Sequence, residues 1–86
     1  MEKLRNLGPV SMQWLAAIGV TSLADVKSLG SVTIYRLLKQ HGYRVSLNLL
    51  YALEGAILDC QWNQLPPKVK LHLQTEQRQI HAEFQR

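Results

Sequence analysis

The sequence predicts an all-α fold, a compact five-helix domain wrapped around one central apolar helix. Three observations carry that reading. Apolar residues recur at i, i+3/i+4 and i+7 spacing, with no strand-like alternation. Gly, Ser and Pro punctuate the chain at intervals that suit short helices. The longest apolar stretch, Ser46–Cys60 (SLNLLYALEGAILDC), holds no proline and no β-branched run.

In chain order, Gly8-Pro9 starts the first helix, because proline's missing N–H would be unpaired in a first turn anyway. Met12, Trp14, Leu15 and Ile18 are its apolar residues, and Gly19 supplies a left-handed stop. Thr21 or Ser22 caps a short second helix with Asp25 in its first turn, where the helix dipole favours negative charge. Leu23, Val26 and Leu29 are expected to face inward, and Gly30 ends the helix. Ser31 is expected to cap a third helix running to about His41, with Ile34, Leu37, Leu38 and His41 as its buried stripe; Gly42 stops it.

Ser46 then caps the central helix. Leu49, Leu50, Leu53, Ile57 and Cys60 form its main stripe, widened by Leu47, Tyr51 and Leu58. Asn48, Ala52, Gly55 and Asp59 are left for water or for close contact with another backbone. Leu50, Leu53, Ile57 and Glu54 are the structural residues of this helix. Asn63–Pro67 breaks the chain again, and Pro67 starts a fifth helix with Val69, Leu73, Ile80 and Phe84 on its apolar side. That helix is polar beyond Leu73, so its end is expected to project or to pair with a second copy.

Eighty-six residues with 47% hydrophobic content suit a single domain spanning 1–86, its core about 4–72 and its last helix about 67–85. The single cysteine, Cys60, has no partner in the chain and reads as a packed thiol, which fits a reducing, cytoplasmic setting. No signal-like segment opens the chain, and about twelve apolar residues at 47–58 fall short of the roughly 20 that a bilayer requires. Net charge is +4, and residues 1–45 carry all of the excess, with six Lys/Arg against two acids. That asymmetry suits a phosphate-facing surface or simply a basic solvated one.

Enzyme patterns are missing. There is no C-x-x-C, no H-E-x-x-H and no Gly-rich phosphate loop, so no catalytic residue, metal or cofactor is expected. His72 and His81 lie nine residues apart, about 180° around a helix, and cannot share an ion. Glu54 lies between apolar directions, so an ion pair with Arg36 or Lys39 is its expected partner, ahead of any acid chemistry. Trp14 and Trp62 read as core or edge-of-core residues, with stacking on a partner as the alternative.

Two joints, Leu7–Ser11 and His41–Ser46, share one logic. A glycine permits a left-handed turn, and the next helix begins with free N–H groups, a ready seat for a phosphate oxygen. The second joint is the stronger, with Arg44 in the loop and Lys39 just before it. Arg36, Lys39, Gly42, Arg44 and Ser46 are therefore the candidate nucleic-acid-binding residues. The string Leu7-Gly8-Pro9, Trp14-Leu15, Ile18-Gly19-Val20, Leu23, Asp25-Val26 resembles helix-hairpin-helix proteins, including the C-terminal domain of the bacterial RNA polymerase α subunit.

Leu4–Pro9, Ile18–Val20, Ser46–Ala56 and Trp62–Pro66 together resemble the C-terminal domain of the TfoX/Sxy competence regulators over roughly residues 4–72. The L-E-G-A segment and the downstream L-P are the more specific parts. The resemblance implies a bacterial cytoplasmic regulator of competence genes that works with the cyclic-AMP receptor protein at promoters, without catalysis. It does not include the N-terminal domain those regulators usually carry. The expected function is a non-enzymatic transcription-related module touching DNA backbone at the second joint. The alternative is a protein-interaction or homodimerisation module using the Trp62–Phe84 end, and neither involves a membrane.

Overall fold

The structure, a computed structural model, describes residues 4–85. The outer ends of the expected 1–86 domain, residues 1–3 and 86, lie outside the described residues. The described residues form five α-helices, α1 (Pro9–Ala17), α2 (Leu23–Leu29), α3 (Ser31–Gln40), α4 (Leu47–Leu58) and α5 (Pro67–Phe84), and one 3-10 turn at Trp62–Gln64. There is no strand among the described residues, and no helix is long and apolar enough to cross a membrane.

α4 is central. It packs against α2, α3, α5 and the 3-10 turn, while α1 leans on α3. Two apolar clusters meet on it. One gathers Leu4, Leu7, Leu15, Val26, Ile34, Leu38 and Leu53; the other gathers Tyr35, Leu50, Leu65, Leu73 and Ile80. Ile57 packs against the first and Cys60 against the second, both half-buried.

Helix ends follow from residue chemistry. α1 and α3 finish alike: Gly19 (φ +83°) and Gly42 (φ +88°) take the left-handed turn, and each returns its N–H to a carbonyl three residues back. The next N–H, from Val20 or Tyr43, reaches five residues back, to Leu15 O at 2.9 Å and Leu38 O at 3.2 Å. Ser22 Oγ accepts from Asp25 N–H, and Ser46 Oγ accepts from Leu49 N–H at 3.2 Å. Asp25 Oδ2 in turn accepts from Thr21 N–H, which holds its carboxyl below the usual range; desolvation opposes this, and the Ser22 and Thr21 hydroxyls add to the lowering.

Several residues sit differently from the periodicity reading. Ser31 is not the cap of α3; Gly30 holds that place, and the buried Ser31 hydroxyl donates to Glu54 Oε1 at 2.8 Å. Glu54 therefore pairs with neither Arg36 nor Lys39. A neutral hydroxyl meets the need that a cation was expected to meet. His41 is exposed at the end of α3, its Nδ1–H donating to Leu37 O, and the fully buried Tyr35 joins the stripe instead. Leu29 and Leu58 are exposed because their helices end there, before a neighbour can cover them.

The end of α5 does not project. His81 shares a 2.8 Å hydrogen bond with Tyr35 Oη, Glu83 pairs with Arg36 at 3.3 Å, and Lys39 Nζ lies 5.5 Å above the Phe84 ring. Burial of Tyr35 pushes its phenol above the usual value of 10, partly offset by a Gln77 hydrogen bond.

Ahead of α1, residues 4–8 form a strap across the end of α4. Asn6 adopts φ +71°, a left-handed conformation that asparagine tolerates better than most residues. Its Nδ2 donates to Cys60 O at 2.9 Å, and its Oδ1 accepts from Trp62 N–H at 3.3 Å. Gly55 makes this approach possible, since a Cβ there would lie 2.6 Å from Asn6 Nδ2 and 2.8 Å from Cys60 O. Of the two settings the sequence allows Gly55, water or close backbone contact, the structure has the second: Gly55 is buried against the Cys60 carbonyl and the Asn6 side chain.

Candidate functional site

A cleft of about 390 Å³ opens between the strap, α1, the α3–α4 joint and Trp62. Leu7, Leu49 and Ala52 supply its apolar surface, and Asn6, Ser11, Ser46 and Asn48 its polar groups. Arg44 is the one charged side chain among the described residues lining it, with no acid beside it. Arg44 is exposed and makes no ion pair with any described residue. Both tryptophans line the cleft. Trp14 is stacked on Tyr43, centroids 5.0 Å apart at 20°, which braces the joint from below; Trp62 is 44% exposed at the rim.

Two helices begin at this cleft. Ser11 lies in the first turn of α1, and Asn48 in the first turn of α4. Ser46 Oγ satisfies Leu49 N–H, while the N–H groups of Leu47 and Asn48 donate to no described protein group. Those groups, the positive ends of the helix dipoles and the Arg44 guanidinium share one sign.

The structure separates the five expected binding residues. Arg44 and Ser46 come together in the cleft. Arg36 and Lys39 are brought instead to the last turn of α5, against Glu83 and Phe84. The Arg36 Nε is buried there without a partner. Gly42 is exposed, but its N–H goes to Lys39 O at 3.0 Å, so the free amide expected of it is already used to end α3. The first joint differs as well. Gly8 has φ −84°, which any residue adopts, and Asn6 makes the left-handed turn in its place.

Sequence reasoning missed Asn6, Ser11 and Asn48 as cleft residues. Trp62 was the available signal, a tryptophan set among Gln61, Asn63 and Gln64 in a chain with only 7% aromatic residues.

Fold and cleft together define a small helical module whose distinctive surface is an open, acid-free groove with one cation. Residues 1–77 match the family described as the TfoX C-terminal domain, and the chain belongs to that family. The match reaches into α5, past the residue-72 limit of the sequence resemblance.

Two solved structures from Listeria monocytogenes are similar. An uncharacterised protein in a triclinic crystal form is 30% identical with a TM-score of 0.80, covering 84% of this chain and 82% of that one. A protein of unknown function in a tetragonal form is 28% identical with a TM-score of 0.86, covering 93% and 99%. No curated protein matches the chain.

Proposed function

We propose that this chain is a non-enzymatic regulatory module that holds nucleic-acid backbone phosphate in the cleft at Arg44. The observation that carries the reading is the convergence of Arg44, Ser46 and the starts of α1 and α4 on one groove without a carboxylate. A phosphate oxygen there meets a guanidinium and open backbone N–H groups, contacts that position a strand without reading its bases. Glu54, the carboxylate weighed for acid chemistry, turns to Ser31 and does not line the cleft, which favours binding over catalysis. Membership of the TfoX C-terminal domain family supports a cytoplasmic role in transcriptional control of competence genes, alongside a partner such as the cyclic-AMP receptor protein.

The test is fluorescence anisotropy on labelled duplex DNA across about 50 to 200 mM salt. Binding weakens as salt rises, and Arg44→Glu abolishes it or lowers the log–log salt slope by about 1 to 2. A salt-independent signal, or one unaltered by Arg44→Glu, refutes the proposal. The second reading, homodimerisation through α5, draws on Leu71, 62% exposed on the outer face of that helix. Sedimentation showing a dimer that Leu71→Glu returns to monomer favours it.

A further inference from the structure

Trp62 has no role in the phosphate contact, yet it is the more exposed of two tryptophans lining the same cleft. Trp14 spends its ring face on Tyr43, whereas Trp62 stacks on no ring of the described residues. Nor is Trp62 on a loose loop. It opens the 3-10 turn, its backbone N–H is held by Asn6 Oδ1 at 3.3 Å, and Gln64 N–H closes the turn onto Gln61 O at 2.9 Å. The chain thus holds a large aromatic surface in water, in fixed position, on a cleft whose single charge is positive. An indole held half in solvent on the rim of a cleft has ring surface open for a partner to stack on.

We propose that the cleft takes an unpaired nucleotide, its phosphate on Arg44 and its base stacked on Trp62. The inference rests on the phosphate reading above and adds the substrate class, single-stranded over duplex nucleic acid. The cleft volume of about 390 Å³ falls within the roughly 300–1,000 Å³ of small-ligand sites. In a duplex the base faces are covered by their neighbours, so Trp62 can be used only by a base that has left the stack. Asn48, exposed beside Arg44 and Ser46, brings an amide that can donate to or accept from a base edge. Every base has a π-face, so the preference is for strandedness with little dependence on sequence.

Anisotropy on a labelled oligo-thymidylate and on a duplex of equal length, with the full chain, tests this. The single strand binds more tightly, Trp62→Ala weakens it at least about five-fold, and Trp62→Phe retains most of the affinity. Circular dichroism confirms that both variants are folded. Displacement of the strand by thymidine monophosphate at matched nucleotide concentration assigns the site to free nucleotides; failure to displace assigns it to a strand. Equal binding of both nucleic acids, unaltered in Trp62→Ala, overturns the stacking inference and leaves the phosphate reading standing. Absence of binding to either overturns both.

Discussion

Gly55→Ala is the sharpest test of how α4 is held. By helix propensity alone it should stabilise, since alanine exceeds glycine by about 1 kcal/mol in a helix interior. The structure reverses the sign. The new methyl would lie 2.6 Å from Asn6 Nδ2 and 2.8 Å from the Cys60 carbonyl oxygen, with Trp62 N at 3.4 Å. The Asn6 side chain can withdraw, but doing so breaks its bonds to Cys60 O and Trp62 N–H. Two hydrogen bonds at about 1 kcal/mol each, plus about 2 kcal/mol for crowding against backbone that cannot swing away, outweigh the propensity gain. The net loss is about 3 kcal/mol, a fall in Tm of about 12 to 24 °C for a domain of this size. Urea unfolding followed by far-UV circular dichroism measures it. Asn6→Ala alone should cost the hydrogen bonds plus about 1 kcal/mol for placing alanine at a left-handed φ, and adding it to Gly55→Ala should cost less than the sum of the two, because the side chain is already gone. A Gly55→Ala protein as stable as the parent, or more so, would refute the strap.

Two further outcomes come from the polar contacts of the core. Ser31→Ala removes the hydroxyl that donates to Glu54 and should cost about 1.5 to 3 kcal/mol in urea unfolding; in a Glu54→Gln background the same change should cost clearly less. Tyr35 keeps its proton in the folded state to a higher pH than in the unfolded chain, so its contribution is complete below pH about 10 and declines as pH rises through the folded pKa. Tyr35→Phe should therefore lie below the parent in Tm at pH about 8, with the gap narrowing toward pH about 11. A gap that stays constant would show that burial does not shift this phenol.

Local chemistry was readable along the chain. Gly19 and Gly42 stop helices because their turns need positive φ, Ser46 and, of the Thr21–Ser22 pair, Ser22 cap because their hydroxyls reach an N–H three residues on, and Pro67 opens α5. Periodicity placed Leu50 and Leu53 in the core of α4, where both are fully buried. Partnerships across the fold were not readable. Glu54 meets Ser31, Arg36 meets Glu83, and Asn6 meets Cys60 and Trp62, pairs 23 to 56 residues apart whose distances follow from topology. The candidate site suffered the same way. Arg36, Lys39 and Arg44 are near one another in sequence, but the helix ending at Gly42 directs the first two toward α5 and leaves the third at the cleft.

The Asn6 bridge also orders events during synthesis. Its two partners are translated 54 and 56 residues later, so a ribosome delivers the clasp long before it delivers anything to be clasped. Until Cys60 and Trp62 have emerged from the exit tunnel, Leu4 and Leu7 lack their final neighbours at the tail of α4, and the rim of the cleft is unfinished. A nascent chain halted short of Trp62 should accordingly be more open to proteases around Asn6 than the released protein.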